Sequence, residues 1–265
     1  MHVHPTAIVS KKAKLADGVT VGPYSIISDG VAIGGQTKIG AYCLIEGNTT
    51  LGSGCEIFTG AVIGSRTQDL KYKGEKVFLD IGSRNIIREY CTFNPGTEEG
   101  GRTVIGNDNL FMAYSHIAHD CVVGSNCVIA NNGTLAGHVT IEDKAVVGGL
   151  VAIHQFVRVG ALSIIGGCSK VTQDIPPYST CDGHPARVYG LNIIGLKRQK
   201  VSKDSIDSLG RAFKALFSEG LTIKHSLEKI EKEIAPTQEI AYLIDFIKKS
   251  QRGITHSCRR QKSLS

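Results

Sequence analysis

One feature limits what this chain can fold into: an aliphatic residue returns at every sixth position over most of the stretch from Val9 to Val171. From Val9 the steps fall on Leu15, Val21, Ile27, Ile33, Ile39, Ile45, Leu51, Ile57 and Ile63. The phase returns at Ile81 and Ile87, then holds from Ile105 through Phe111, Ile117, Val123, Ile129, Leu135, Ile141, Val147, Ile153, Val159 and Ile165 to Val171. The next position is often glycine, as at Gly22, Gly34, Gly40, Gly106 and Gly124, and the position two before is small, as at Ser25, Thr37, Cys43 and Ala61. One large and one small inward side chain per six residues describe a coil with short flat sides. Three sides close a triangular turn of about 18 residues, with coils stacked at the ordinary strand spacing of about 4.8 Å.

The repeat accounts for five of the eight cysteines. Cys43, Cys55, Cys91, Cys121 and Cys127 all fall in the small inward slot, where a thiol is a compact apolar filler, and none belongs to a CxxC pair. They predict neither a disulfide nor a metal site, in keeping with a reducing compartment.

Two segments interrupt the ladder without shifting its phase: Ser65–Asp80 (SRTQDLKYKGEKVFLD) and Asn94–Thr103 (NPGTEEGGRT). Excursions from a rigid solenoid are where binding residues tend to sit. That role is expected of the first insertion, and a plain solvated loop is expected of the second.

The repeat fades after Val171, and Pro176–Pro177 should end the regular coil, giving a β-solenoid domain over 1–190. The remainder, 191–265, reads as helical. Ser202 is a fair N-cap before Ile206, Leu209, Phe213, Leu216 and Phe217; Ile223, Leu227, Ile230 and Ile234 mark a second helix; and Ile240, Leu243, Ile244 and Ile247 mark a third, entered at Pro236–Thr237. From about Arg252 the tail should fray. The formal charge of +6 is wholly C-terminal: residues 191–265 carry 15 Lys/Arg against 8 Asp/Glu, and residues 1–190 carry 15 against 16. A solvated helical surface would look like this, and so would a docking face for an acidic partner or for phosphate. Aromatic residues are too sparse there for nucleic acid. No apolar run approaches the roughly 18 residues that span a bilayer, and the first residues lack the signal-peptide pattern, so a cytoplasmic protein without membrane insertion is expected.

Four of the nine histidines fall between His116 and Phe156. The step from His119 to His138 is 19 and the step from His138 to His154 is 16, each about one coil. These spacings predict a column of three imidazoles on one corner, with His116 facing the same crevice. None belongs to the aliphatic phase. Such a column serves either general-base chemistry or a metal.

The segments SHIAHDC, LAGHV, VAIHQF, GGCS, QDLKY and NIIGLKR resemble the UDP-N-acetylglucosamine O-acyltransferase family, and the likeness covers nearly the whole chain. It implies a left-handed parallel β-helix followed by a small helical domain. The implied reaction moves a 3-hydroxyacyl chain from acyl carrier protein to the 3-OH of UDP-N-acetylglucosamine, the first step of lipid A biosynthesis, with no cofactor. By the same likeness His119 is the general base, Asp120 orients it, and the backbone N–H of Gly137, one coil further along the chain, is the oxyanion donor. His138, His154 and Gln155 match residues that hold the nucleotide sugar, and His116 matches one lining the cleft. Gln68, Asp69 and Lys71 would reach the neighbouring cleft, Asn192 and Arg198 would contact phosphate or carrier protein, and Gly167 would set acyl length, its missing side chain leaving room for a long chain. The family forms homotrimers with sites between subunits. Ile194, Gln199 and Pro185 depart from its pattern where a Glu, a second Arg and a His are expected.

Four other readings compete. N-acyl transfer to a 3-amino acceptor would keep the same motifs, whereas a CoA-dependent acetyltransferase would not carry this set. The γ-class carbonic anhydrases bind zinc on the same type of coil, but with a His-x4-His pair that this chain lacks. A non-catalytic β-solenoid predicts no histidine column.

Overall fold

A computed structural model describes residues 2–257. Most strands are two residues long, and among the described residues they sort into three sheets of eleven, nine and eight strands, parallel throughout except for the last strand of the first sheet and growing by one strand per coil. We call these faces A, B and C in the order in which the chain visits them. Ile129, Leu135 and Ile141 lie on strands of A, B and C in one coil and pair with Val147, Ile153 and Val159 in the next. The six-residue phase is therefore the inward side chain of each face. From Val21 to Val171 these positions are buried, while Val9 and Leu15, in the open first coil, are half-buried. Phe93 and Phe111 fill the middle of the prism, packed edge to face with ring centroids 4.8 Å apart.

Each edge between faces is a tight turn. One residue per corner takes the left-handed backbone conformation, for instance Asn126, Asn132 and His138 with φ of 59°, 58° and 60°. The cysteines fill the core beside these corners as expected. Burial pushes the Cys91 and Cys127 thiols up to about 11 and that of Cys121 to about 12, so all three stay protonated.

Both insertions keep the phase because they add whole hexads to a coil. Asn48 pairs with Phe78 across the first, and Phe78 pairs with Arg102 across the second. Both leave the coil between faces B and C, in consecutive turns. The second insertion differs from the solvated loop expected of it. The stretch 94–97 is buried, and Asn94 Nδ2 donates to the carbonyls of Ser65 and Arg66 at 3.1 and 3.4 Å, fastening one insertion to the other.

The coil also runs past Pro176–Pro177. Ser179–Gly183 adds a further parallel strand to face A and turns back into Ala186–Leu191 as an antiparallel hairpin. Beyond it, among the described residues, stand four helices, not three: α1 (Ile193–Arg198), α2 (Lys203–Phe217), α3 (Ile223–Glu233) and α4 (Gln238–Lys249). Ser202 and Thr237 cap α2 and α4 as expected, each side chain accepting the N–H three residues on. The six-residue α1 escapes the periodicity argument because it is shorter than two helical turns. Helix α4 packs against face C, where Tyr242 hydrogen-bonds Glu142, and Arg158 both pairs with Glu142 and covers the Phe246 ring. Nor does the chain fray at Arg252. Ile254 and Thr255 are buried, the Asp174 carbonyl receives the Thr255 N–H at 2.8 Å, and Ile254 and Ser257 form bridges to Asp174 and Val188. The rest of the tail expected to fray, 258–265, lies outside the described residues.

Candidate active site

The histidines gather on the B/C edge, in the three coils directly above the two insertions. The strict register from coil to coil sets which side chains share a column, and it corrects the expected column of three imidazoles. Strand pairing places Asp120, His138 and Phe156 in one column, His119, Gly137 and Gln155 in the next, and Ala118, Ala136 and His154 in a third. Spacings of 19 and 16 are each near one coil, but they step the three histidines across neighbouring columns of the same edge.

His119 occupies the centre. Its Nδ1 lies 2.9 Å from Asp120 Oδ2, and since an ionised carboxylate only accepts, Nδ1 carries the proton and donates. Its Nε2 faces Asp69 Oδ2 at 3.5 Å. Asp69 reaches it from the first insertion of the same chain, held by an Asx turn in which its Oδ1 receives the Lys71 N–H at 2.8 Å. The side chains of His119 and Asp120 are 14% and 15% exposed, which strengthens the pair without closing it off from a substrate. Gly137 is the next layer up. A Cβ there would lie 2.4 Å from both Cε1 and Nε2 of His119, so only glycine lets the imidazole stand beneath the backbone. The Gly137 carbonyl receives the Phe156 N–H at 3.1 Å, while its own N–H has no acceptor among the described residues.

His138 meets His119 edge to face, with ring centroids 5.1 Å apart, and its Nε2 is 3.9 Å from Asp120 Oδ2. Its outer face is covered by Phe156, nearly parallel at 4.6 Å. His116, on the adjoining strand of face B, has Nδ1 2.7 Å from the Thr92 hydroxyl. Burial, with the neighbouring His119 adding to it, holds its imidazole below the usual range, so it is neutral at neutral pH. His154 and Gln155 stand exposed above, and the His154 ring Nδ1 lies 3.2 Å from the Gln155 carbonyl. One ligand atom each from His119, Asp120 and His138 lie within 4.8 Å of one another, a donor set that suits a transition metal by chemistry, although the Asp120–His119 hydrogen bond already explains the closest approach.

The remaining expected residues do not meet this cluster within one chain. Gln68 and Lys71 are exposed on the insertion flanking Asp69. Gly167 lies on the A/B edge, its would-be Cβ 3.2 Å from the Gly149 carbonyl. Asn192 caps α1: its Oδ1 accepts from Gly195 N at 3.0 Å and its Nδ2 donates to the Leu162 carbonyl at 2.8 Å, so its amide is spent on structure. Together with a 2.6 Å bond from Lys144 Nζ to Gln199 Oε1, this fixes α1 and the exposed Arg198 to the C/A edge. Ile194 is exposed on α1, and Pro185 sits in the hairpin turn before Ala186. Sequence reasoning misses Thr92 and Phe156. Phe156 stands one coil after His138 and is within reach of the repeat; Thr92 pairs with His116 across the second insertion and is not.

Known proteins resemble this chain over nearly its whole length. A family model described as UDP-N-acetylglucosamine O-acyltransferase, domain 2, matches residues 174–255, and one for bacterial transferase hexapeptide repeats matches 102–137. The chain is 50% identical over 253 residues to an acyl-[acyl-carrier-protein]–UDP-N-acetylglucosamine O-acyltransferase of Thiobacillus denitrificans, covering 95% of this chain and 98% of the relative. It is 41% identical to the crystal structure of the UDP-N-acetylglucosamine O-acyltransferase of Moraxella catarrhalis, with a TM-score of 0.92 and 96% and 100% of the two chains covered. For the corresponding protein of Acinetobacter baumannii the values are 43%, 0.91, 96% and 99%. The coil is thus a left-handed parallel β-helix, as the repeat and its resemblance lead one to expect. The chain belongs to the UDP-N-acetylglucosamine O-acyltransferase family.

Proposed function

We propose that this chain transfers a 3-hydroxyacyl group from acyl carrier protein to the 3-OH of UDP-N-acetylglucosamine, the first step of lipid A biosynthesis, with His119 as general base. The observation that carries this reading is the disposition of one imidazole: Nδ1 held by Asp120, Nε2 facing Asp69, and the Gly137 N–H one layer above. An alcohol is a poor nucleophile at neutral pH and needs its proton removed as it attacks. The sugar hydroxyl passes its proton to His119 Nε2 while its oxygen bonds the thioester carbonyl carbon. The carbonyl oxygen becomes an oxyanion and accepts the Gly137 N–H. Collapse breaks the carbon–sulfur bond, and the proton on Nε2 passes to the departing thiolate. Asp120 keeps Nδ1 protonated and steadies the imidazolium. No metal or cofactor is needed in this sequence of steps.

His116, His138, His154 and Gln155 bind the nucleotide sugar along the same edge, and Asp69, with Gln68 and Lys71 beside it, hydrogen-bonds the acyl 3-hydroxyl or the sugar. The coil, 1–190, carries the chemistry, and the basic helical part, 191–265, docks the acidic carrier protein. The relatives are O-acyltransferases, which favours an oxygen over a nitrogen acceptor. The test is to offer purified protein 3-hydroxyacyl carrier protein with UDP-N-acetylglucosamine or its 3-amino analogue. Transfer to the natural sugar, as an ester that mild alkali cleaves, is expected; product from the amino analogue alone would move the reading to N-acylation.

A homotrimer completes the site. Gly167 and Arg198 stand on the two edges away from His119, so only another copy brings them to it. Face A turns Ile86, Leu110, Val128, Val146 and Ile164 outward, and Leu70 at the tip of the first insertion is fully exposed, apolar surface that suits association. A solution mass of three chains is expected, and a stable, active monomer would contradict it. A cytoplasmic location fits this reading, and among the described residues no helix is long and apolar enough to cross a membrane.

A further inference from the structure

Phe156 is the outermost ring of the row on the B/C edge, and the packing of the coil does not call for it. The inward residue of that corner is its neighbour Val157, fully buried, whereas Phe156 is 53% exposed. Asp120, His138 and Phe156 occupy the same left-handed corner position in successive coils, with φ of 57°, 60° and 63°, so their side chains leave the backbone in the same direction and stack.

His138 needs such a neighbour. Its side chain is 40% exposed, and its Nε2 is 3.9 Å from Asp120 Oδ2, too far for a hydrogen bond that would fix the ring. His119 touches it only edge-on, the two planes being 89° apart. Two soft torsions set where the imidazole nitrogens point, and an exposed ring without hydrogen bonds samples several orientations. Its broad contact among the described residues is the Phe156 face, 4.6 Å away and 8° from parallel. A flat stack of this kind permits sliding but resists tilting, so it fixes the imidazole plane.

We propose that Phe156 is a positioning residue for His138, holding its ring so that Nε2 stays turned toward Asp120 and the sugar-binding side of the edge. The proposal rests on the reading of His138 as a nucleotide-sugar ligand. Phe156→Leu keeps apolar bulk and removes the aromatic face. The expected result is a rise in KM for UDP-N-acetylglucosamine of about three- to tenfold, the size of one aromatic stack, with kcat changed by less than about twofold and the KM for acyl carrier protein unmoved. Phe156→Tyr, which keeps the ring, should restore KM. In a His138→Ala background Phe156→Leu should add nothing, because both changes remove the same contact. An unchanged KM in Phe156→Leu while His138→Ala raises it, or a full-sized Phe156→Leu effect in the His138→Ala background, overturns the positioning role alone. An unchanged KM in His138→Ala overturns the sugar-binding reading and the positioning role with it.

Discussion

His119→Ala is expected to lower kcat by about 10²–10⁴-fold, the range that a positioned general base supplies. The physical ground is the absence of a second base in the right place. His138 is the nearest imidazole, but it stands a layer above with its nitrogen toward Asp120, and Asp69, 3.5 Å from Nε2, is a carboxylate poorly matched to an alcohol. His116 cannot stand in, because its Nδ1 is engaged with the Thr92 hydroxyl and it is half-buried on the adjoining strand. The fold should survive, since His119 lies on the outside of the coil and no core side chain depends on it. Steady-state kinetics with a melting curve separate the two effects. A kcat within about tenfold of the native value in a folded protein would mean that another group takes the proton.

Gly137→Ala should be almost as damaging, for a reason specific to stacking. The new methyl would fall 2.4 Å from Cε1 and Nε2 of His119, well inside van der Waals contact. The backbone at Gly137 is held by its coil neighbours, so the imidazole, the end of a rotatable side chain, is what moves. Displacement of about 1 Å at a reacting group costs on the order of 10²-fold in rate, and it also pulls the base out of line with the Gly137 N–H. Stability should change little, because the ring swings toward solvent and leaves no cavity. In a His119→Ala background the substitution should cost far less, since the clash is gone. Gly190 is the natural control. Nothing lies within 4 Å of its would-be Cβ, and alanine there should leave rate and melting temperature alone.

The fold is legible because one residue in six repeats one structural role, so a local pattern reports the whole coil. The insertions are legible for the same reason: their excess lengths are whole hexads and preserve the phase. What they pack against is not legible. The burial of 94–97 depends on the Asn94 amide reaching two carbonyls of another loop, with sequence separations of 29 and 28, a contact with no periodic signature. Proline breaks regular structure, which points to an end of the coil at Pro176–Pro177, yet the chain adds one more strand and then a hairpin, since a short β-arc tolerates proline at its start. The tail beyond Arg252 is polar enough to suggest fraying, but the buried Asp174 carboxylate receives the Arg158 N–H and the Ser250 hydroxyl, and its backbone pairs with Gly253 and Thr255.

For the site, sequence spacing reaches the edge but not the column. A near-match to the length of one coil is enough to place the histidines on one edge, and only the strict count puts Asp120 under His138 and Gly137 over His119. The same count names Phe156. Asn192 shows the opposite limit. An asparagine beside a basic motif reads as a ligand, and its side chain also caps a helix too short to see in the pattern. Gly167 and Arg198 fall on different edges from His119, so a single chain does not bring them to it.

In the mechanism proposed above, one imidazole, fixed by Asp120 and roofed by Gly137, moves the proton. Single-turnover transfer from 3-hydroxyacyl carrier protein to UDP-N-acetylglucosamine, measured side by side for the native protein, His119→Ala and Gly137→Ala at matched assembly state, tests it most directly. The native protein should form the 3-O-acyl ester, and both variants should fall by about 100-fold or more while remaining folded and saturable by both substrates. Ester formation by His119→Ala at close to the native rate would contradict the account.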